Sequence, residues 1–482
     1  MMRRPSALLP MAFGLTVAGC TVGPNYQRPE LATPPRFLAA QTDAGQVIDR
    51  WWEAFGDPAL IALVSRALNQ NLDLAAADAR IAQARASSEV TRAGTGPRLD
   101  ANASVQGQRL SENGAQLNNI PKGLFQPDLE FPVYRASLDA SWELDIWGRQ
   151  RRENEAATAR AESALEGRRD AVIRVAGEVA RTYADVRAAE TRLGIAKATA
   201  VSSRRTLALV QQRVRAGEEA NLEANRAASE LREAEAAIPA LEADLRASLF
   251  ALDLLIGEQP GAAERLIAAT PGAARLAAPL VAAGIPSDLL RRRPDIRRAE
   301  RDLAAETAEV GVAVADLYPR FSLTGSLGLE SVRAGDFPKA ASTFWQFGPS
   351  LLAPLFDGGR RRAEVRRQRA QVDEALANYK QAVLRALSDV ETALIRLARE
   401  RERASQLFAS RAELGRNLDL TRQRYQAGEA DLLEVLDVER RVARLDDLAA
   451  QANARVLTNT IALEKALGGG WATTEQRATV SR

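Results

Sequence analysis

Ser141-Trp142-Glu143-Leu144-Asp145-Ile146-Trp147-Gly148-Arg149 is where the chain changes its period. Before Gly148, Ala136, Leu138, Ala140, Trp142, Leu144 and Ile146 are apolar, and Arg135, Ser137, Asp139, Ser141, Glu143 and Asp145 alternate with them. A period of two predicts a strand with one apolar and one polar face. After Gly148 the apolar positions Val172, Val179, Val186, Leu193, Ala200, Leu207 and Val214 recur every seven residues, the period of a coiled-coil helix. A helix of about sixty residues would run roughly 90–100 Å, several times the width of a small domain. A strand that feeds straight into such a helix is not an ordinary globular element.

Composition limits what the chain does. Its 482 residues are 46% hydrophobic and 26% charged, enough to bury surface and to avoid general disorder. A net charge of only +3, with Glu and Arg interleaved as in Arg151-Arg152-Glu153-Asn154-Glu155, describes solvated helix faces and not a nucleic-acid surface. There is no histidine and a single cysteine. Imidazole acid–base catalysis, Ser-His-Asp triads and the common zinc sites are therefore excluded. No compact pair of carboxylates stands out either, so neither an enzyme nor a resident cofactor or metal is expected.

The cysteine has a telling position. Arg3 and Arg4 precede an apolar run from Ala7 to Val17, and Val17-Ala18-Gly19-Cys20 follows. This is the layout of a secretory signal, too short to span a bilayer. Val17-Ala18-Gly19-Cys20 looks like a lipobox, which makes Cys20 the expected site of acylation. Several acyl chains hold a protein on a bilayer far better than one. Thr21, in place of Asp, suggests the outer membrane by analogy with lipoprotein sorting. Gly23–Pro29 should be extended. A helical run is then expected from about Ala59 to Ala93, with Asp57 as its cap and Pro58 in its first turn.

Four segments alternate as strands, at about 98–110, 133–146, 320–330 and 343–356. The last is weakened by Pro349 and Pro354. Each has about the ten residues of a membrane β-strand. Two soluble hairpins packed on helices would be the alternative, but a continuously polar second face and the lipoprotein signal argue for a barrel wall. Four strands cannot close a membrane barrel, and unpaired edges are not tolerated in lipid. Several chains must therefore share one barrel.

The chain also repeats itself. Gly148-Arg149 returns as Gly359-Arg360, and Arg213-Val214-Arg215-Ala216-Gly217-Glu218 as Arg424-Tyr425-Gln426-Ala427-Gly428-Glu429, both at a shift of 211. The shifted heptad falls on Val383, Val390, Leu397, Ala404, Arg411, Leu418 and Tyr425, with Arg411 its one polar member. Gly96-Pro97-Arg98-Leu99 resembles Tyr318-Pro319-Arg320-Phe321 at a shift of 222. This is an internal duplication. Each long helix should end at a glycine, Gly217 or Gly428, and a second helix should return, the first of these kinked at Pro239.

At Gly23–Pro29, Trp51–Leu63, Ser141–Arg149, Ile285–Tyr318 (with Arg293-Pro294-Asp295-Ile296) and Lys465–Trp471 the sequence resembles the TolC/OprM-type outer-membrane factors, more narrowly their NodT-type lipoproteins. The resemblance implies a mainly α fold with membrane β: coiled-coil hairpins forming an α-barrel tunnel, and four strands per chain in a shared trimeric twelve-stranded β-barrel. It implies a passive duct for small molecules in the outer membrane, docked through a periplasmic adaptor onto an inner-membrane transporter. The expected order is signal peptide over 1–19, acylated extended segment over 20–56, first repeat over 57–256, equatorial linker over 257–285, second repeat over 286–467 and tail over 468–482.

In the family the periplasmic end is closed by helix tips. Matched residue by residue, the closing positions are Arg424, Tyr425, Leu433, Asp437 and Arg440, while Val214 stands in the first tip where Tyr425 stands in the second. Three copies of Leu433 would form an apolar constriction and three of Asp437 an anionic ring, with Arg424 and Arg440 holding the carboxylates. The same residues also fit an ordinary i,i+3 helix pair. Two other functions fit parts of the pattern: a protein-secretion duct, or a non-transporting coiled-coil tether, which would not need amphipathic strands.

Overall fold

The computed structural model describes residues 21–39, 48–111, 128–270, 276–282 and 284–471. Cys20 and the tail after Trp471 lie outside the described residues. The main elements are α1 (Pro58–Gln70), α2 (Leu72–Ala93), β1 (Arg98–Arg109), β2 (Glu130–Leu144), α3 (Arg149–Arg215), α4 (Asn221–Leu255) and α5 (Ala262–Ala269). They continue as α6 (Leu289–Arg292), α7 (Pro294–Ala315), β3 (Arg320–Ser331), β4 (Thr343–Leu352), α8 (Arg360–Gln426) and α9 (Leu432–Ala466).

The duplication is visible in the element boundaries. Helices α3 and α8 each have 67 residues, and α4 and α9 each have 35, all displaced by 211, from 149 to 360 and from 221 to 432. Helices α2 and α7 share a length of 22 at a shift of 222, from 72 to 294. At 1.5 Å per residue, α3 and α8 are each about 100 Å long.

Two compact units interleave along the sequence. One takes the described residues of Met1–Arg28, Gln83–Ala161 and Arg301–Leu376, the other Pro29–Ala82, Glu162–Glu300 and Ala377–Arg482. In the first unit the four strands form one antiparallel sheet in the order β1-β2-β3-β4. β4 is shorter than expected and ends at Leu352, so the stretch 353–356 leaves the ladder with Leu355 and Phe356 exposed. Pro354 has no N–H to extend it. Pro349 is tolerated inside β4, opposite Leu323, because β4 is an edge strand.

The two largest core clusters of the second unit lie along α3 and α8. Val172, Val179, Tyr183 and Val186 of α3 pack with Trp51, Trp52, Phe55 and the apolar face of α1. Val383, Val390, Leu397 and Ala404 of α8 pack with Phe37, Ile296 and Leu463. Most heptad positions are thus buried, while Leu193, Leu207 and Val214 are half-buried. Arg411 is exposed, and its Nε donates to Asp446 of α9 at 2.7 Å.

The single helix expected from Ala59 to Ala93 is two helices, broken at Asn71. Its Oδ1 accepts from the Asp73 and Leu74 amides at 2.9 and 3.2 Å and caps α2, while its Nδ2 donates to Leu255 O at 2.8 Å. Asp57 caps α1 as expected, accepting from Ala59 and Leu60, and its other oxygen accepts from the buried Tyr183 hydroxyl at 3.0 Å. Helix α4 runs through Pro239 without a break. The stretch after Gly257 carries α5, whose start is held by Asp253 through the Gly261 and Ala263 amides at 2.7 and 2.6 Å.

Candidate functional site

Two places in the chain have the geometry a channel needs: the sheet with its exit into the long helices, and the tips where those helices turn back. On the sheet, register assigns the faces. Leu138 lies opposite Leu327, which lies opposite Trp345, and Trp142 lies opposite Leu323, which lies opposite Pro349. These side chains, with Leu99, Val105, Phe347 and Leu351, form an apolar surface much of which is exposed in the single chain. The other face pairs Asp100 with Asp139, Ser326 and Gln346 at one level, and Ser104 with Arg135 and Glu330 at another. Asp139 accepts from Ser326 Oγ at 2.6 Å and Ser137 Oγ at 3.0 Å. Arg135 reaches Glu330 at 3.3 Å and covers the Phe344 ring at 4.5 Å. One face is built for lipid and the other for water. Among the described residues β1 and β4 each have a neighbour on one side only.

The seam at Ser141–Arg149 is capped in both repeats. Asp145 accepts from the Gln150 and Arg151 amides at 3.1 and 3.0 Å, and Asp357 accepts from Gly359 and Arg361 at 2.9 and 3.1 Å. A carboxylate satisfies amides left open in the first turn and complements the helix dipole. Gly148 (φ 82°) and Gly359 (φ 86°) supply the left-handed residue immediately before each helix, at the end of short connections over 145–148 and 353–359. Trp147 donates to Pro319 O at 2.8 Å and stacks on Tyr318 with ring centres 4.7 Å apart. Trp142 donates to Thr95 O at 3.0 Å. The two indoles therefore fasten the seam to the start of the neighbouring strands.

At the tips, Glu218 N bonds Arg213 O and Gly217 N bonds Val214 O. In the second repeat Glu429 N bonds Arg424 O and Gly428 N bonds Tyr425 O. Both are Schellman ends that require glycine in the left-handed region. Tyr425 is 2% exposed, packed with Val210, Ala227, Leu432, Val435 and Leu436 from both hairpins. Its ring lies 4.8 Å from the Arg213 guanidinium, Arg213 Nη1 donates to Tyr425 O at 2.8 Å, and its hydroxyl donates to Glu219 at 3.3 Å. Burial, then the Glu219 carboxylate, pushes the phenol up to about 12.

Of the remaining expected gate residues, Arg424 is exposed at the end of α8, and Leu433, Asp437 and Arg440 are exposed on α9. Leu433 is 48% exposed, and Asp437, Arg440 and Arg444 continue the same exposed stripe at i+4, i+7 and i+11. Within one chain the expected bonds from Arg424 and Arg440 to Asp437 are absent among the described residues. Arg424 donates to Glu434 at 3.4 Å, Arg440 lies 3.8 Å from Glu230, and Asp437 is 3.9 Å from Arg441. Spacing explains this: Arg441 is one turn from Asp437 at i+4, and α4 presents Glu230 to Arg440. Arg213 and Glu219 were not anticipated as site residues. The signal was present in the repeat, since Arg213 is the counterpart of Arg424 at a shift of 211.

The sequence profile of the outer membrane efflux protein family matches residues 63–258 and 285–469. The chain is 34% identical to the pyoverdine export outer membrane protein OpmQ of Pseudomonas aeruginosa, over 96% of each chain. It is 32% identical to the nodulation protein T of Rhizobium leguminosarum bv. trifolii, over 95% of this chain and 96% of that one. The solved structure of the outer-membrane channel OprN superposes with a TM-score of 0.85 at 33% identity, covering 94% of this chain and all of the other. Amphipathic strands, capped seams and paired helical hairpins thus belong to a known architecture: the chain is a member of the outer membrane efflux protein family, an outer-membrane efflux channel.

Proposed function

We propose that three copies of this chain close one twelve-stranded barrel and conduct small solutes outward without chemistry. The observation that carries this reading is the four-stranded sheet with one apolar and one polar face and, among the described residues, no partner on either outer edge. Each edge strand needs another edge in a bilayer, and repetition about a closed axis supplies it. Cys20 carries the acyl anchor, and the long helices reach an adaptor and an inner-membrane transporter in the periplasm.

The relatives' names favour small cargo: pyoverdine export in one, solvent and toluene efflux in others, and cation efflux in a third group. Soft metal cations are the least suited of these. Residues 12–482 contain no Met and no His, and the one Cys is at position 20, so the tunnel lacks the thioether, imidazole and thiolate ligands such ions need. The tip closes the duct through Tyr425 in its two-hairpin socket and through the exposed stripe of Leu433, Asp437 and Arg440, with Arg424 bracing the turn.

The test is native mass and conductance of the purified chain in a planar bilayer. A trimer that conducts only after the tip is weakened, for example by Asp437→Ala together with Leu433→Ala, is the expected result. A monomer, or a trimer silent in every variant, refutes the duct and favours a tether.

A further inference from the structure

Arg152 lies in the first turn of α3 with its side chain 4% exposed. A guanidinium taken out of water costs several kcal/mol unless its N–H groups find acceptors. Three of the acceptors belong to the extended strap that follows Cys20. Nη2 donates to Asn25 Oδ1 at 2.6 Å and to Gly23 O at 3.4 Å, and Nε donates to Val22 O at 3.3 Å. Nη1 is held by Glu155 of the same helix at 2.7 Å. The strap also bonds the seam directly, through Val22 N to Trp147 O at 3.0 Å.

Sterics enforce the same contact. A methyl on Gly23 (φ 88°) would lie 2.5 Å from Gly311 Cα on α7, and one on Gly311 would lie 2.7 Å from Arg152 Cγ. A methyl on Gly148 would come within 2.8 Å of the Thr21 side chain. Three glycines distant in sequence therefore clear space where strap, α3 and α7 meet. An extended segment makes no ladder of its own, so its order must come from such contacts.

We infer that Arg152 is a positioning residue that clamps the acyl-bearing N-terminus to the strand-to-helix seam, so that the lipid anchor and the inner end of the sheet enter the bilayer at one level. The inference rests on the acylation of Cys20. Its consequence is that the anchor delivers the sheet to the membrane in register, and is not merely a leash.

The experiment uses the full-length acylated chain, its acylation verified by mass. Arg152→Gln, Gly23→Ala and Asn25→Ala are compared in that background and in Cys20→Ser, secreted behind an ordinary cleavable leader. Amide exchange of residues 21–28 and the rate of assembly into detergent-resistant oligomers in phosphatidylethanolamine–phosphatidylglycerol vesicles are measured. Arg152→Gln and Asn25→Ala should speed strap exchange by roughly 10- to 100-fold, the loss of one or two charge-assisted hydrogen bonds, and Gly23→Ala should speed it through the clash with Gly311. All three should slow assembly of the acylated chain to the rate of the unacylated one and leave the unacylated rate unchanged. Equal slowing in both backgrounds would mean a purely structural role and overturn the clamp. So would unaltered strap exchange in Gly23→Ala, which changes the strap and leaves the helices intact. An unmodified Cys20 in the wild-type chain also overturns it, while conductance of the same preparation reports separately on the duct.

Discussion

Arg213 and Tyr425 meet across the two helix tips of one chain, the guanidinium 4.8 Å from the centre of the phenol ring and bonded to the backbone oxygen beneath it. They occupy nearly equivalent places in the two repeats, yet they have diverged into a socket and a plug. Val214 replaces the tyrosine in the first repeat and Arg213 remains to receive Tyr425 from the second. The tips are thus specialised, and the substitution at Val214 reflects that division of labour.

Arg213→Ala should loosen the tip more than Tyr425→Phe. The first removes a cation–π contact worth about 0.5–2 kcal/mol and a bond to a carbonyl, and leaves a buried ring beside Glu219. The second removes only the 3.3 Å bond to Glu219 and keeps the ring in its apolar cluster. In planar bilayers, current through Arg213→Ala should exceed that of wild type several-fold and that of Tyr425→Phe by a smaller factor. Equal currents in all three would remove this contact from the gate.

Asp437 is exposed and its single-chain partner Arg441 is 3.9 Å away, a separation at which an exposed pair contributes little. Its charge is therefore available to ions at the tip. Asp437→Ala should raise the closed-state conductance and weaken block by multivalent cations in symmetrical salt. Arg441→Ala serves as the control and should leave the block largely intact.

How far the sequence revealed this molecule depended on whether a feature has a period. The heptad of α3 and α8 and the alternation of the strands were legible because burial imposes them position by position. Arg411 broke the heptad for a reason invisible in one helix, its bond to Asp446 on the next. The break at Asn71 was missed for a related reason. An apolar-periodic run continues on both sides of it, and only the Leu255 carbonyl, far along the chain, gives its side-chain amide a purpose there. At the site, the tip glycines and Tyr425 were legible from the repeat. The Arg213 socket and the Arg152 clamp were not, since each joins segments that no spacing rule links.

Asn71→Ala should consequently destabilise more than an exposed helix-cap change. It deletes the cap of α2, typically about 1 kcal/mol, and strands the Leu255 carbonyl at the end of α4. A fall of several degrees in the unfolding midpoint in detergent is expected, with Asn71→Asp recovering part of it through the cap alone. Identical midpoints for Ala and Asp would place the whole effect in the Leu255 bond.

Glu464 and Asp253 occupy the same position in the two repeats, 211 residues apart, and both are buried, but their carboxyls are treated differently. Asp253 accepts from two amides at 2.7 and 2.6 Å. Glu464 Oε2 has no hydrogen-bond partner among the described residues, and burial pushes its carboxyl up to about 7 from 4.5. Between those two values the folded state binds more protons than the unfolded one, so stability falls as pH rises across that window and its contribution is fully present only below it. At about 1.4 kcal/mol per pKa unit the change is at most about 3.5 kcal/mol. The wild-type unfolding midpoint should therefore drop between pH 5 and pH 8. Glu464→Gln keeps the shape, removes the ionisation and should flatten that slope, stabilising the chain at pH 8. Asp253→Asn should do the opposite and destabilise at both pH values, because it weakens a carboxylate with two satisfied bonds. A Glu464→Gln profile as steep as wild type would show that the pH dependence arises elsewhere.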